Sequence, residues 1–361
     1  MENGSHPSAL EQALARHAVP GRFYKPLERQ AVECYACGHR CTIAEGRSGI
    51  CKVRFNREGV LYVPAGYTAG LQCDPIEKKP FYHVLPGSLA LSFGMLGCDF
   101  HCAFCQNWLS SQVLRDASAI APITPIGAGK IVDLAIQHGA RAVISTYNEP
   151  LITSEWAMDV FARAKEQGLL TGYVSNGNAS PEVIEALRPV TDLYKIDLKC
   201  FRDVTYRSMG GRLQTVLDTI AQVHALGYWM ELVTLLIPGM NDSAEEIGEM
   251  AAFIASVSLD IPWHLTAYHD AYKMKNRGLT EASTLRQSAQ IARQAGLRYV
   301  YIGNCPGAFP EFETTTCPTC QKPLVQREGY RVRSQALPGG TCPHCGSMIP
   351  GIWPGAANPQ F

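Results

Sequence analysis

The sequence predicts an α/β protein with a parallel sheet, flanked by two cysteine-rich segments. Strand-like apolar runs alternate with amphipathic stretches through the central part of the chain, and several of these stretches end at a glycine, the usual position of a helix C-cap. Such regular alternation is typical of a parallel sheet wound with right-handed crossovers. Eleven of the fourteen cysteines fall into three tight groups: one before this region, one after its first strand and one behind it.

The chain is long enough for one large domain and an appendage, and we predict three parts. Residues 1–87 form an N-terminal cysteine-rich segment and a lead-in loop. Residues 88–310 form the domain with the parallel sheet, because the repeating pattern begins at Ser88. Residues 311–361 form a C-terminal module around the last cysteine group.

Composition and charge exclude several classes of function. The formal net charge is zero, so nothing in it indicates electrostatic binding to nucleic acid or to an anionic membrane. No apolar run approaches the length of a membrane span, and residues 1–21 lack the features of a secretory signal. Fourteen cysteines in such a chain favour metal ligation over disulfides and predict a cytoplasmic location. Three cysteines outside the groups are predicted to be buried thiols: Cys73, Cys200 and Cys305.

The first cysteine group predicts a metal site near the N-terminus. It comprises Cys34, Cys37, Cys41 and Cys51. Glycines among these cysteines supply the tight turns needed to fold four thiolates around one centre. The spacing does not decide the metal, because zinc and an auxiliary iron–sulfur cluster both take four thiolates.

A short apolar strand over residues 61–67 and a proline-punctuated lead-in loop from Asp74 come next. Two interpretations are open for the polar residues of this loop, a substrate-facing cluster or a solvated or salt-bridged connector. These residues are Glu77, Lys78, Lys79 and His83.

The elements of the central domain follow from its alternating pattern. The predicted strands cover residues 89–96, 142–146, 170–175, 193–198, 229–237, 263–268 and 299–302. The predicted helices cover residues 126–138, 152–167, 181–187, 213–226, 244–255 and 283–295. Ser180 before Pro181 provides an N-cap, and Ser243 with Glu246 fits a capping box.

The first of these strands leads into the second cysteine group, Cys98, Cys102 and Cys105, at C-x3-C-x2-C spacing. Thiolates this close suit an iron–sulfur cluster or zinc. A closed zinc site or an ordinary cubane cluster takes four protein ligands, so a triad indicates an iron left open for another ligand. A zinc knuckle completed by a distant ligand such as His101 is the alternative.

This C-x3-C-x-aromatic-C motif, on a loop after a first strand, resembles the signature of radical S-adenosylmethionine (SAM) enzymes. The resemblance implies that residues 88–310 form a partial (β/α)6 barrel with a [4Fe–4S] cluster on the three cysteines. It also implies that the amino and carboxylate groups of SAM chelate the remaining iron. Phe104, the aromatic residue of the motif, would then lie beside the adenine.

Polar residues follow the ends of the next strands, where parallel barrels place their active sites. The STYNEP stretch matches the position where the superfamily usually has Gly-Gly-Glu against the amino group of SAM. Tyr147 and Asn148 replace the two glycines, and Glu149 keeps the acid. The SNG stretch, which begins at Ser175, resembles the Thr-Asn-Gly of glycyl-radical activating enzymes. Many of those enzymes carry an aspartate just before it, where this chain has Val174, so a bound monovalent cation stays an open question.

The last two strand ends complete the implied SAM site. Asp197 and Lys199 match the Asp-Leu-Lys of the same activating enzymes, and the resemblance places them around the ribose and carboxylate of SAM. The sixth strand has His264 near its start and His269 at its carboxyl end. Because active sites lie at carboxyl ends, His269 is the predicted SAM residue.

The third cysteine group predicts a zinc ribbon or rubredoxin-like site. Two C-x2-C knuckles roughly twenty residues apart are typical of structural zinc. The stretch between them is predicted to form a β-hairpin with Gly329 at its turn. Its modest basic and aromatic content favours a structural or docking role over nucleic-acid binding. Residues 351–355 are predicted to be a packed anchor. The four ligands are Cys317, Cys320, Cys342 and Cys345.

From the first cysteine group to the last, the chain resembles the AmmeMemoRadiSam-system radical SAM proteins, relatives of pyruvate formate-lyase activating enzyme. The resemblance implies that a low-potential cluster gives one electron to the sulfonium of SAM. Methionine and a 5′-deoxyadenosyl radical are released, and the radical abstracts a hydrogen atom from the substrate. An electron donor such as flavodoxin or ferredoxin is implied as a partner.

Two enzyme hypotheses stay open for the substrate. The first, by analogy with the activating enzymes, is generation of a glycyl radical on a partner protein. The second is radical modification of a small molecule or peptide alongside Memo-type and Amme-type proteins. A hypothesis of another class is a zinc-binding interaction protein on a degenerate barrel. The sequence identifies neither the substrate nor the oligomeric state.

Overall fold

The computed structural model describes residues 9–355. Helix α1 (Ala9–Arg16) opens the N-terminal part, and six short strands follow. They are β1 (Ala18–Pro20), β2 (Tyr24–Pro26), β3 (Val32–Cys34), β4 (Cys41–Ile43), β5 (Phe55–Arg57) and β6 (Val60–Pro64). Two antiparallel sheets result, one in the order β1-β6-β5 and one in the order β2-β3-β4. The second sheet places Cys34 directly opposite Cys41.

The apolar run predicted as one strand over residues 61–67 is divided. Strand β6 ends at Pro64, and β7 (Tyr67–Thr68) begins after Gly66. Gly66 has a φ of +72°, a conformation in which glycine has no steric penalty. The turn at this glycine therefore separates the two strands.

An eight-stranded sheet forms the centre of the molecule, in the order β8-β9-β11-β12-β13-β14-β15-β16. The short β10 pairs with β7 instead. The strands are β8 (Gly70–Pro75), β9 (Leu89–Gly94), β10 (Thr124–Pro125), β11 (Ala140–Ser145), β12 (Leu170–Ser175), β13 (Leu193–Asp197), β14 (Trp229–Leu236), β15 (Trp263–Ala267) and β16 (Val300–Gly303). Strands β9 and β11 to β16 are all parallel, whereas β8 is antiparallel to β9.

The predicted α/β class is therefore confirmed, and all seven predicted strands are present. The eighth strand, β8, was not predicted, because its residues are only half-buried and carry no clear alternation. It precedes residue 88, so the sheet takes one edge from the part assigned to the N-terminal segment. Strands β8 and β16 are the two edges of the sheet.

The helices that connect the strands cover most of the predicted stretches. They are α2 (Trp108–Ser111), α3 (Ala128–Gln137), α4 (Ser154–Glu166), α5 (Pro181–Leu187), α6 (Asp203–Ser208), α7 (Leu213–Ala225), α8 (Ala244–Val257), α9 (Ala282–Gln294) and α10 (Pro310–Glu313). Ser180 caps α5 by accepting from the Val183 amide, as predicted. Ser243 likewise caps α8, but Glu246 does not complete the capping box, because its carboxylate accepts from the Phe201 amide instead. None of the helices within residues 9–355 has the length and apolar character needed to cross a bilayer.

The lead-in segment, defined here as residues 76–87, packs against the amino end of the sheet. Ile76, Phe81 and Val84 are fully buried. They share one hydrophobic cluster with residues at the amino ends of four strands: Ala90, Ala142, Leu193 and Trp229. The segment therefore fills the space at the amino end of the sheet.

The C-terminal module holds this segment in place. Its three strands are β17 (Thr315–Thr316), β18 (Pro323–Glu328) and β19 (Arg331–Gln335), and Gly329 lies at the turn of the predicted hairpin. The predicted anchor is confirmed, because Trp353 is buried and Ile352 forms a β-bridge with Val84. The core of the module includes two tyrosines of the main domain, Tyr299 and Tyr301.

Candidate active site

The carboxyl ends of the parallel strands surround a cavity of about 430 Å³. Parallel sheets place binding sites at this edge. All three cysteines of the second group line the cavity, together with residues that follow β11, β12 and β13. The predicted site residues in the lining are Cys98, Phe104, Cys102, Cys105, Asn148, Glu149, Ser175, Asp197 and Lys199.

The loop after β9 brings the three cysteines to the cavity. The Phe100 amide donates to Cys98 Sγ at 3.3 Å, and the Cys105 and Ser111 side chains are 3.2 Å apart. Burial raises the pKa of Cys98 and raises that of Cys102 to about 12. A metal bound here would therefore displace protons from these thiols. Cys102 is buried, and Cys98 and Cys105 are half-buried. Three thiols that face one cavity fit a cluster with an open coordination position.

Tyr147, which the sequence analysis did not select, shapes the wall beside this loop. Its φ of +73° is in the left-handed region. The ring occupies space left by two glycines: a Cβ on Gly94 would lie 2.8 Å from Tyr147 Cβ, and one on Gly70 would lie 3.4 Å from the ring. Its hydroxyl pairs with Ser92 Oγ at 2.8 Å and accepts from Lys79 Nζ at 3.3 Å. The bulky residue is thus accommodated where the resemblance led us to expect glycine.

Glu149 is held by three hydrogen bonds inside the cavity wall. It accepts from the Leu151 amide at 3.1 Å, from Ser175 Oγ at 2.7 Å and from the Asn176 amide at 2.7 Å. Burial, and next the carboxylate of Asp99, raise the pKa of Glu149 to about 8. A cation placed against this carboxylate would favour its ionised form.

Asn148 is held just as firmly. Its Oδ1 accepts from the Met95 amide at 2.9 Å, and its Nδ2 donates to the Glu149 carbonyl at 3.1 Å. The side chain therefore links the cysteine loop to the end of β11.

Asp197 lies between two lysines on the end of β13. It pairs with Lys195, and Lys199 Nζ donates to its other oxygen at 3.1 Å. Burial opposes ionisation of Asp197, but the two ammonium groups outweigh it and hold the pKa of this carboxyl below its usual range. Lys195 was not selected from the sequence, although strand alternation in KIDLK places it on the same face as Asp197.

His264 and His269 do not lie where the sequence predicts. His264 is buried and lines the cavity, and its Nε2 lies 2.7 Å from Glu231. His269 lies beyond the end of β15, is exposed, and pairs with Gln106 on the rim. Strand alternation directs the side chains of His264 and Thr266 into the cavity, and β15 ends before His269. A role for His269 in binding SAM stays a prediction.

The far end of the cavity is formed by the lead-in segment. Glu77, Lys78, Lys79 and Tyr82 line it, whereas His83 is buried behind them. Asp74 accepts from Lys78 at 2.9 Å and from Lys79 at 3.0 Å. The two lysines are therefore salt-bridged, as the connector interpretation predicts, and they also face the cavity. A substrate-facing role stays a prediction.

Glu231 fixes the floor behind these residues. It accepts from the amides of Tyr82 and His83 at 3.0 and 2.9 Å and from Trp229 Nε1 at 3.0 Å, in addition to His264. Burial raises its pKa, but the His264 hydrogen bond and charge prevail and lower it. The sequence did not identify Glu231 as a site residue, because a carboxylate within an apolar run does not indicate which residues it will contact.

The C-terminal cysteines form a compact site. The Sγ atoms of Cys317 and Cys345 are 3.5 Å apart, and those of Cys320 and Cys342 are 3.7 Å apart. A tetrahedral zinc ion with Zn–S bonds of about 2.3 Å holds its sulfurs roughly 3.8 Å apart. The four side chains therefore fit a single metal ion, and none of them lines the cavity.

The N-terminal cysteines lie against the cysteine loop instead. Cys34, Cys37 and Cys51 are buried, and Cys41 is half-buried. Burial, and next the carboxylate of Asp99, raise the pKa of Cys37. Asp99 directly follows Cys98, so the first two cysteine groups are neighbours.

Comparisons with known proteins agree with this geometry. The family model described as the Radical SAM superfamily matches residues 94–254. An uncharacterized protein of Methanocaldococcus jannaschii is 35% identical over 331 residues, which are 91% of this chain and 97% of that protein. The pyruvate formate-lyase 1-activating enzyme of Escherichia coli K12 is 24% identical over 236 residues, which are 60% of this chain and 93% of the enzyme.

A solved domain of a pyruvate formate-lyase-activating enzyme from Bacteroides vulgatus superposes with a TM-score of 0.41 at 24% identity. The superposition covers 45% of this chain and 98% of that domain. The archaeal alignment thus takes in most of this chain, including parts outside the family match.

Proposed function

The chain belongs to the radical SAM superfamily and is related to pyruvate formate-lyase activating enzymes, and we propose that it cleaves SAM reductively at a [4Fe–4S] cluster on Cys98, Cys102 and Cys105. One observation carries the proposal: these cysteines line the same cavity as Glu149, Ser175, Asp197 and Lys199. When bound, the cluster and SAM would supply one electron and a 5′-deoxyadenosyl radical that abstracts hydrogen.

The residues of the wall are proposed to bind SAM by its polar groups. Glu149 offers a fixed carboxylate to the amino group, supported by Ser175 and Asn148. Asp197 and Lys199 offer a carboxylate and an ammonium to the ribose and carboxylate. Phe104, buried in the loop, offers an apolar face to the adenine. Such fixed partners orient the cofactor and exclude water from the reacting carbon.

The substrate is proposed to enter beyond these residues. Glycyl-radical formation on a partner protein is the hypothesis supported by the related activating enzymes. Modification of a small molecule or peptide is the second candidate, and the closed end of the cavity favours it. The lead-in segment and Tyr330 of the C-terminal hairpin line that end, which limits the room for a bulky loop. The Memo-type and Amme-type partners belong to this second hypothesis, and an electron donor belongs to both.

Anaerobic reconstitution and a 5′-deoxyadenosine assay with dithionite test the proposal. We expect an oxygen-sensitive cluster in the wild-type protein and no SAM cleavage in Cys98→Ala. Cys73→Ala is the matched control, because Cys73 lies on β8 outside the three groups, and it should cleave SAM normally. If residues 98–105 take up zinc alone, the hypothesis of an interaction protein replaces the enzyme.

A further inference from the structure

We propose that Cys34, Cys37, Cys41 and Cys51 hold an auxiliary iron–sulfur cluster that passes electrons to the cluster on the Cys98 loop. The inference rests on the proposed function, because reductive cleavage of SAM needs an electron. Three independent observations support it: the spread of the sulfurs, the contacts between the two groups, and the charge around the outer one.

The spread of the N-terminal sulfurs differs from that of the zinc-like group. Within residues 9–355, Cys317, Cys320, Cys342 and Cys345 are the one set of three or more His, Cys, Asp or Glu ligand atoms found within 4.8 Å of one another. No three of the N-terminal sulfurs lie within this distance of one another, whereas the sulfurs around a single zinc ion do. A cluster spaces its thiolates further apart, because each binds a different iron atom.

Backbone contacts join the two groups directly. Gly97 precedes Cys98, and a Cβ on it would lie 3.1 Å from the carbonyl oxygen of Cys51 and 2.9 Å from Val53. Gly97 also has a φ of +90°, so glycine is required at this position. Arg115 bridges the two segments by donating to the carbonyls of Cys98, at 2.7 Å, and of Ile50.

Side chains close the remaining space between the groups. The buried carboxylate of Asp99 accepts from Asn176 and Asn178, each at 2.8 Å, and lies 3.9 Å from His39 Nε2. The Gly38 amide, next to Cys37, donates to the Asn178 carbonyl at 2.8 Å. The N-terminal group therefore packs directly against the cysteine loop, and none of its four cysteines lines the cavity.

The outer face of this group suits an acidic electron carrier. Residues 22–57 contain eight Lys and Arg against three Glu, although the whole chain has no net charge. Three of these cations are ion-paired with carboxylates: Arg22, Arg40 and Arg54. Arg47, Lys52 and Arg57 are exposed, as are Glu45 and Glu58, and Cys41 is half-buried. A positive surface of this kind attracts an acidic partner. We therefore expect electrons to enter at this face from a low-potential one-electron carrier.

The electron balance is simple. The carrier would lose one electron and the sulfonium of SAM would gain it. The N-terminal cysteines would hold the centre that passes this electron to the centre on Cys98, Cys102 and Cys105. The C–S bond of SAM to the ribose carbon breaks, giving methionine and the 5′-deoxyadenosyl radical. No proton moves in this transfer.

Metal analysis of the full-length, anaerobically reconstituted protein tests the site. Iron, sulfide and zinc are measured in wild type, Cys37→Ser, Cys98→Ala and the control Cys73→Ser. We expect each of the first two variants to hold about half of the wild-type iron, while zinc stays unchanged. After reduction, SAM should alter the EPR signal left in Cys37→Ser but not the signal left in Cys98→Ala.

Zinc bound by the N-terminal group, or full iron content in Cys37→Ser, would overturn the proposal. If Cys37→Ser does not fold, the half-buried Cys41→Ser replaces it.

The path itself is tested with two reductants. We expect 5′-deoxyadenosine formation driven by reduced flavodoxin to fall at least tenfold in Cys37→Ser relative to formation driven by dithionite, since dithionite is small enough to reach the inner cluster. Equal changes with both reductants would overturn the path. If wild type forms no product with either reductant, the proposed function fails, and the path fails with it. The metal analysis still decides whether the auxiliary cluster exists.

Discussion

Arg54 and Glu155 form a fully buried, two-pronged ion pair between the N-terminal segment and helix α4. Arg54 Nη1 and Nη2 each donate to one carboxylate oxygen at 2.7 Å, and Nη1 also donates to the Ile152 carbonyl at 3.1 Å. Glu155 accepts in addition from the Arg22 amide at 3.0 Å. The pair fixes the segment with the first cysteine group onto the element that follows STYNEP.

We expect Arg54→Met to destabilise the protein by about 3–5 kcal/mol, because it leaves the Glu155 carboxylate buried without its counter-charge. Urea unfolding monitored by circular dichroism measures the change. Arg22→Met is the matched control, since the Arg22–Asp159 pair is exposed and worth at most about 1 kcal/mol. Replacing Arg54 and Glu155 together by methionine should cost less than Arg54→Met alone. Equal effects of the two single variants would contradict the assignment of Arg54 as a structural anchor.

Lys199, His264 and His269 provide a prediction about SAM affinity. A charge-assisted contact is worth about 1.5–3 kcal/mol, so Lys199→Met should weaken SAM binding by roughly ten- to a hundredfold. His264→Ala should impair coupling of SAM cleavage to substrate, because it removes a cavity wall and leaves Glu231 without one partner. His269→Ala should have a smaller effect than His264→Ala, in keeping with its exposed position. SAM binding and 5′-deoxyadenosine yield are measured at equal cluster content. A larger effect for His269→Ala would restore the role predicted from the sequence.

The sequence carries enough information for the sheet and the cysteine groups. Seven apolar runs and their glycine caps mark the parallel strands, and cysteine spacing marks three places where thiols gather. The strand that escaped prediction, β8, is an edge strand and needs only one partner, so its residues show little periodicity. Its position depends on pairing with β9, which is a tertiary contact.

The cavity was predictable at its entrance but only in part at its far end, where a substrate-facing cluster on the lead-in loop was one of two interpretations. Asp197 and Lys199 follow a strand end and were identified from that position. Tyr147, Glu231 and Tyr82 matter because distant segments meet around them, and nothing local marks them. His264 was not selected for a related reason. The rule that active sites lie at the carboxyl ends of parallel strands does not say which face of a strand points into the cavity.

The ribbon cysteines lead to a prediction about zinc. Cys342→Ser should lose one zinc ion per chain and lower the thermal midpoint, because structural zinc contributes folding free energy. The effect should reach the main domain, since Arg327 of the ribbon donates to the Tyr82 carbonyl at 2.6 Å and lies over its ring. Cys305→Ser, outside the three groups, is the control and should keep its zinc. Cluster iron should be equal in both variants. Unchanged zinc in Cys342→Ser would show that the ribbon holds no metal.

His83 links the lead-in segment to three other parts of the chain. Its Nδ1 lies 2.8 Å from the Pro350 carbonyl, and its Nε2 lies 2.7 Å from the Tyr301 hydroxyl. A carbonyl can only accept, so Nδ1 carries the proton and Nε2 accepts from Tyr301. The tyrosine oxygen in turn pairs with Thr315 at 2.8 Å. With Nε2 as the acceptor the imidazole is neutral, which is the form that burial favours.

Acid should therefore destabilise the protein through His83. Burial lowers the pKa of His83 from 6.5 to about 4. The unfolded chain binds this proton more readily than the folded one, so the stabilisation is fully present above pH 6.5 and is lost as the pH falls through about 4. The loss in free energy of unfolding is about 3 kcal/mol, from the size of the pKa shift.

Urea unfolding of wild type and His83→Gln between pH 7.5 and 4 measures this loss. The free energy of unfolding should depend less on pH in the variant. His269→Gln is the control, because His269 is exposed, and it should keep the wild-type slope. His264, whose pKa is also lowered by burial, acts in the same direction in all three proteins, so the difference between them isolates His83. Identical slopes for wild type and His83→Gln would show that His83 is protonated equally in the folded and unfolded chain.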